Sequence, residues 1–162
     1  MTSNTSVAGA DGAGAPHPGL ETGGRNPTVR ERQYLTRAAT NLNGHVPGEA
    51  SDRLIEAMLA EGWIYREDGD GFRLEPDEAL AFRGHTAWKI TPVGRWAALG
   101  FRQRMLLAEA TSGSLSLDRR NVRTKLLIEM HLAEDVGGAV RLTDLGGELV
   151  RAFVAGGEGG QP

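Results

Sequence analysis

The sequence predicts a mostly helical α+β protein made of two successive modules, each with the order helix, strand, helix, β-hairpin, helix. Apolar residues recur at helical spacing in several segments, and short aromatic or β-branched runs lie between them. The chain also repeats itself, because residues 54–61 resemble 127–134 and residues 89–94 resemble 141–146. Segments that match in the same order indicate a diverged duplication.

The repeat and the composition together predict the module boundaries. The first module is expected to span residues 29–100 and the second 101–155, with disordered tails at 1–28 and 156–162, which are rich in glycine and other small residues. Between its two matched segments the first module holds 21 more residues than the second, in the region of 66–87. This excess predicts a longer hairpin in the first module.

The first module opens with a helix predicted over 29–41, which the turn-forming residues of 41–44 terminate. A second helix begins after Ser51 or Glu49, whose side chains can accept from backbone amides at a helix start. It ends at Gly62, because glycine suits the left-handed position that follows a helix.

Strands are predicted at 63–65 and 88–90, since aromatic and β-branched side chains fit a pleated sheet. Between them, the Asp-Gly residues of 67–71 predict an acidic turn, because the twelve-position spacing of a calcium loop is not met. Glu75 then starts a short helix. The threonine-proline pair at 91–92 predicts another helix start.

The helix after Thr91 is expected to run through Gly100 towards Ala110, so that one helix closes the first module and opens the second. In the second module, residues 114–117 alternate polar and apolar side chains, which predicts a short strand. Asp118 is a suitable N-cap for a helix predicted over 119–134.

A tight hairpin is predicted around Gly137 and Gly138, because glycine tolerates the positive φ angles of a two-residue turn. Thr143 begins the last helix, where an apolar face is expected to cover the module's own core; a homodimer contact through the same face remains the alternative. That face consists of Leu145, Leu149 and Phe153. His131 matches Met58 in the repeat and is expected to be a partly buried structural residue.

The order of elements, with a strand that leads into a helix through Ile/Leu-Thr-x-x-Gly, resembles the winged helix-turn-helix in tandem. The most specific segments are 54–64 and 88–95, which are similar to transcription regulators of the MarR and PadR groups. The resemblance implies that a recognition helix enters the major groove of DNA and that a hairpin wing contacts the backbone or minor groove. The sequence departs from the family because 42–49 and 111–117 leave little room for the middle helix.

A basic segment at 118–125 carries four cations against one acid. Lysine and arginine neutralise phosphates, and arginine and asparagine can also read base edges. The predicted helix 119–134 would place Arg119 and Arg123 on one face, one turn apart. The candidate contacts with double-stranded DNA are the basic segment's Arg119, Arg120, Asn121, Arg123 and Lys125, and the hairpin's Gly137, Gly138 and Arg141.

A second basic group precedes and opens the first helix, and it could act as a flexible arm that follows a DNA groove. Its members are Arg25, Arg30, Arg32 and Arg37. The simpler interpretation is a solvated helix face. By contrast, residues 49–56 carry three acids and one base, so this helix of the first module would be repelled by phosphates. A protein-interaction adaptor that does not bind DNA is therefore the competing function, with a protein partner on the first module.

Several function classes are not expected from the composition. The chain has no cysteine, its four histidines lack metal-ligand spacing, and no nucleophile or phosphate-binding motif is present, so no enzyme activity, metal or cofactor is predicted. The formal charge of −3 argues against a uniformly basic surface. No apolar run reaches membrane-spanning length, and a cytoplasmic protein, monomeric or homodimeric, is expected.

Overall fold

The computed structural model describes residues 24–112 and 117–155. Within them lie seven α-helices and two antiparallel two-stranded sheets, so the α+β class is confirmed. The first half contains α1 (Val29–Thr40), α2 (Asp52–Ala60), β1 (Ile64–Arg66), α3 (Pro76–Ala81), β2 (Trp88–Ile90) and α4 (Pro92–Ala98). The second half contains α5 (Phe101–Ser112), α6 (Val122–Glu129), β3 (Ala133–Val136), β4 (Ala139–Leu142) and α7 (Asp144–Val150), followed by a π-helical turn (Arg151–Ala155).

Three helices of the first half begin at side-chain caps. Thr28 and Glu31 form a reciprocal capping box at α1. Ser51 accepts from an amide of α2, and Thr91 accepts from an amide of α4, as the sequence predicts. Gly62 follows α2 with φ of 74°, which confirms its predicted role.

The expectation of one continuous helix through Gly100 is wrong. Leu99 caps the C-terminal end of α4 in an extended conformation, with φ of −82° and ψ of 138°. The chain therefore turns before α5 starts at Phe101. Leu99 is fully buried, so the break places an apolar side chain in the core rather than continuing the backbone hydrogen bonds of α4.

The first sheet pairs Ile64 with Ile90 and Arg66 with Trp88. An isolated bridge between His45 and Lys89 adds a single position of a third strand. The Val46 amide donates to the Trp88 carbonyl at 2.8 Å, which ties the segment between α1 and α2 to the hairpin. This bridge takes the place of the short strand expected between the first two helices of the first module.

Residues 67–87, called the insert below, join β1 to β2 and carry α3. Arg66 fixes the insert by donating to four of its backbone carbonyls, at distances of 2.8–3.3 Å. These carbonyls belong to Ala79, Phe82, Gly84 and Thr86. The same guanidinium lies 5.0 Å from the Phe82 ring and 5.4 Å from the Trp88 ring. Arg66 therefore ties the second part of the insert to the end of β1.

The second half departs from the prediction at its second helix, which covers Val122–Glu129 and not 119–134. Asn121, rather than Asp118, is the N-cap and accepts from the Arg123 amide at 2.8 Å. The Asp118 carboxylate instead accepts from the Arg120 amide at 2.9 Å, which closes a turn. Of the strand predicted at 114–117, only Leu117 is described, and it lies outside any strand.

The two halves share a detailed set of contacts around their hairpins. The Thr91 amide donates to the Trp63 carbonyl at 2.9 Å, and the Thr143 amide donates to the Leu132 carbonyl at 3.0 Å. The Thr91 hydroxyl donates to the Gly62 carbonyl and the Thr143 hydroxyl to the His131 carbonyl, both at 2.7 Å. Gly62 directly precedes Trp63, and His131 directly precedes Leu132. The internal repeat predicted from the sequence therefore has a counterpart in backbone geometry.

The register of the repeat differs from the sequence alignment by one helical turn. Trp63 corresponds to Leu132, and His131 therefore matches Gly62 rather than Met58. Trp63 precedes Thr91 by 28 positions and Leu132 precedes Thr143 by 11, so the excess is 17 residues rather than 21. His131 adopts φ of 63°, close to the φ of 74° at Gly62.

One hydrophobic cluster extends through both halves. Trp96, at the end of α4, is fully buried and stacks on Phe153 with ring centroids 5.3 Å apart. The expected core role of the last helix holds for Leu149, which is 1% exposed, whereas Phe153 packs against the first half. The halves therefore share an interior.

Candidate nucleic-acid interface

The basic segment lies at the surface, on the turn that leads into α6 and on the first turns of that helix. Arg119 and Arg120 belong to the turn, Asn121 is the N-cap, and Arg123 and Lys125 lie on α6. The predicted alignment of Arg119 and Arg123 on one helical face is therefore wrong, because the helix begins three residues after Arg119. The five candidates nevertheless lie within seven successive residues that form the turn and the first part of α6.

The side chains of this segment differ in exposure and in ion pairing, which decide whether they can contact a polyanion. Arg120 and Lys125 are exposed and Arg123 is half-buried, and none of the three has an ion-pair partner within the described ranges. Arg119 is also exposed, but its guanidinium lies 3.6 Å from the Asp135 carboxylate. Asn121 uses its side-chain oxygen to cap α6, which leaves its amide nitrogen as the group that could face a ligand.

The second hairpin has the tight turn that the glycines predict. Gly137 and Gly138 have φ of 62° and 92°, as in a type I′ turn, and both are exposed. The Asp135 carboxylate accepts from the Gly138 amide at 3.0 Å and so braces this tip. Arg141 is exposed on β4 and lies 3.4 Å from Glu134. The hairpin's own acids therefore offset its arginine.

Arg25, the first residue of the proposed basic arm, is held by several contacts with the first half. Arg25 donates to both carboxylate oxygens of Glu31 at 2.7 and 2.8 Å, lies 3.2 Å from Glu61, and stacks 5.0 Å from the Trp63 ring. Because Pro27 is also buried, residues 24–28 form part of the folded structure rather than of a disordered tail. This contact corrects both the tail boundary and the role of Arg25.

The remaining arm residues lie on α1. Arg37 donates to Glu49 at 2.7 Å, and this bond holds the pKa of that carboxyl below its usual range. Arg30 is exposed and its guanidinium lies 5.9 Å from the Tyr34 ring. Arg32 is half-buried. Arg30, Arg32 and Arg37 line one groove along α1, whereas Arg25 does not line it.

Glu31 is the one buried carboxylate in the described part of the chain. Its hydrogen bond with Arg25 and the amide of Thr28 keep its pKa below the ordinary glutamate value, against the opposing effect of burial. In the hairpin of the first half, the Glu67 carboxylate accepts a hydrogen bond from the Lys89 amine at 2.9 Å and raises the pKa of that amine. Each pair joins two segments of the first half.

Two apolar side chains beside the basic segment were not predicted as site residues. Val122 is 74% exposed at the first position of α6, and Phe101 is 54% exposed at the start of α5. A groove between these helices is bordered by Phe101, Met105, Asn121 and Arg123. The sequence could have indicated these two residues only if the starts of α5 and α6 had been predicted correctly, because their exposure depends on their positions at the helix starts.

The described residues contain no group of three or more histidine, aspartate or glutamate side chains arranged to hold a metal ion. None of the helices in the described ranges is long and apolar enough to cross a membrane. Comparison with protein-family models, with curated proteins and with solved structures finds no match to this chain.

Proposed function

We propose that the protein binds double-stranded DNA through its second half and acts as a transcriptional regulator. In this proposal the two halves are tandem winged-helix-like modules, α6 is the recognition helix of the second module, and β3 and β4 form its wing. The observation that carries the proposal is the exposed, locally cationic segment before and within α6, where Arg120 and Lys125 have no acidic partner among the described residues.

The charge of the segment favours a polyanionic ligand. Residues 118–125 carry four cations and one acid in a chain whose formal charge is −3. Phosphate neutralisation supplies most of the sequence-independent affinity of such surfaces. Asn121, Val122 and Arg123 follow one another at the helix start, where recognition helices commonly contact base edges.

A fluorescence-anisotropy titration with labelled genomic duplexes at several salt concentrations tests the proposal. We expect log affinity to fall linearly with log salt, by about 0.9 for each phosphate neutralised. Combined replacement of Arg120, Arg123 and Lys125 by alanine should reduce both the affinity and the slope.

The matched control removes the same charge from exposed arginines elsewhere. The combined Arg53→Ala, Arg83→Ala and Arg151→Ala variant should bind DNA with nearly the wild-type slope, because these side chains lie outside the basic segment. An equal loss in both triple variants would indicate a general charge effect. Absence of duplex binding by the wild-type chain near physiological salt would refute the proposal.

The competing proposal is a protein adaptor, which the electrostatics of the first half favour. Asp52 and Glu56 are exposed on α2, the helix that corresponds to α6, and would repel phosphates. Under this alternative a partner protein would be captured by the full chain and lost on altering α2, while the triple alanine variant of the basic segment would retain it.

A further inference from the structure

A groove of about 720 Å³ runs along α1, and the described residues that line it extend from Pro27 to Arg37. The opposite side of the helix, with Leu35 and Ala38, is buried in the hydrophobic cluster. No other helix among the described residues contributes to the lining, so this face of α1 has no partner there. Val29 lines the groove and is 77% exposed, which leaves apolar surface that the first half does not cover.

The groove also carries positive charge, and none of its described lining residues is acidic. Arg30 and Arg37 are exposed, and their guanidiniums lie 5.9 and 5.7 Å from the ring of Tyr34, which lines the groove as well. Because both distances end at one ring, the two guanidiniums lie no farther apart than the sum of these distances. Arg32 also lines the groove, but its Nη1 reaches to within 3.8 Å of the position of a β-carbon on Gly100, at the junction of α4 and α5. The charge used below is therefore that of Arg30 and Arg37.

These two cations differ in their partners. Arg30 has no carboxylate partner among the described residues, whereas the Arg37 guanidinium lies 2.7 Å from the Glu49 carboxylate. Both side chains of that pair are more than half exposed, at 55% and 61%, and exposed ion pairs contribute little to stability. A carboxylate of another molecule can therefore replace Glu49 at little cost.

We propose that the groove of α1 is the docking site for an acidic amphipathic helix of a partner protein. Arg30 and Arg37 are two helical turns apart, which is about 10.5 Å along the axis, so carboxylates two turns apart on a helix beside α1 would match them. An apolar residue of the partner would pack on Val29 and Tyr34. This contact favours a protein helix over a nucleic-acid backbone, which presents phosphates and no aliphatic side chain. The groove shares no residue with the basic segment of α6, so the proposal does not rest on DNA binding.

Fluorescence anisotropy of two labelled synthetic helices, titrated with the full chain, tests this site. Both peptides consist of alanine and leucine with one polar residue type that recurs every two turns beside the leucines. The polar residue is glutamate in one peptide, called the glutamate helix, and glutamine in the other. We expect saturable one-to-one binding of the glutamate helix and about tenfold weaker binding of the glutamine helix, because an exposed ion pair contributes up to about fivefold in affinity.

Matched charge variants separate the groove from general electrostatics. The combined Arg30→Gln and Arg37→Gln variant should weaken binding of the glutamate helix about tenfold. The control, Arg53→Gln with Arg83→Gln, removes the same charge from exposed arginines of the first half outside the groove and should leave that affinity nearly unchanged. A labelled DNA duplex is the third probe, and the Arg30→Gln and Arg37→Gln variant should bind it nearly as the wild-type chain does.

Two single variants test the apolar contact and the exchange of the ion pair. Val29→Ser should weaken both helices about fourfold, the equivalent of one methyl group removed from a buried contact. Glu49→Gln releases Arg37 and should tighten binding of the glutamate helix about twofold. No saturable binding of the glutamate helix, equal binding of the glutamine helix, or equal losses in the two double variants would each overturn the proposal. So would a loss of duplex binding, in place of peptide binding, when Arg30 and Arg37 are replaced.

Discussion

Gly146 offers a sharp test of the geometry that the two halves share. A β-carbon on this residue would stand 2.1 Å from the Leu132 carbonyl oxygen, and on Gly94 it would stand 2.1 Å from the Trp63 carbonyl oxygen. Both oxygens accept backbone hydrogen bonds from the threonines that begin α7 and α4. Since the obstacle is backbone, the Gly146→Ala substitution must move α7 away from the strand.

The expected cost combines two opposing effects. Overpacking of a close contact costs about 1–3 kcal/mol and loss of the threonine hydrogen bond about 1 kcal/mol, whereas alanine gains about 1 kcal/mol over glycine in a helix. We expect the free energy of unfolding to fall by about 1–3 kcal/mol in Gly146→Ala, and by a similar amount in Gly94→Ala. Chemical denaturation followed by far-ultraviolet circular dichroism measures both values.

The neighbouring Gly147 is the matched control. A β-carbon there would meet only the flexible end of Arg151, at 3.4 Å, so Gly147→Ala should be neutral or stabilise the protein by up to about 1 kcal/mol. The reasoning would be refuted if Gly146→Ala and Gly147→Ala had similar stabilities. If Gly94→Ala lowered the free energy of unfolding strongly and Gly146→Ala did not, the two halves would share this geometry but not its contribution to stability.

Three further predictions concern charged residues. The pKa of Glu31 is lowered in the folded state, so its stabilising bond with Arg25 is present above about pH 4.3 and is lost as the pH falls through the lowered pKa. The loss of stability in Arg25→Ala should therefore shrink as the pH is lowered in an acid denaturation series. Replacing Arg66 by alanine should expose the insert to hydrogen exchange and proteolysis, and lysine should not restore protection, because one ammonium cannot reach all four carbonyls. The Asp135→Asn substitution keeps an acceptor for the Gly138 amide but removes the acidic partner of Arg119. It should tighten DNA binding about threefold at low salt. Fluorescence anisotropy measures this affinity, and an unchanged value would contradict the prediction.

The parts of the fold that the sequence predicted correctly depend on local chemistry. Thr91 and Thr143 cap helices with their own hydroxyls, and Gly137 and Gly138 supply positive φ at a two-residue turn. Each of these features involves residues within a few positions of one another. A single sequence therefore contains the information needed to place them.

The register error in the repeat has a simple cause. An amphipathic helix presents the same apolar face after a shift of one turn, so the stripe that includes Leu54, Ile55 and Met58 matches its counterpart in either register. The positive φ of Gly62 and His131 and the hydrogen bonds from the two threonines fix the alignment. Those bonds join residues 28 positions apart in one half and 11 in the other, which the helical pattern does not reveal.

The errors at the candidate site also arise from competition between similar signals. Asp118 and Asn121 are both good caps, and the aspartate is used to close the turn before the helix. The free-arm interpretation of Arg25 is wrong because two of its partners, Glu61 and Trp63, are distant in sequence and come close to it only in the folded chain.

The two residues that follow α2 and α6, Gly62 and His131, share a positive φ but differ in their contacts. Glycine adopts positive φ without cost at residue 62, whereas His131 adopts φ of 63° with a β-carbon present, which is unfavourable for most side chains. The compensating contact is the His131 Nε2–H, which donates to the Thr40 carbonyl at 3.0 Å, at the C-terminal end of α1. Thr40 belongs to the first half and His131 to the second, so this strained residue joins them, as the Trp96–Phe153 stack does. His131 therefore contacts the first half from a position whose counterpart in the first half, Gly62, has no side chain to make such a contact.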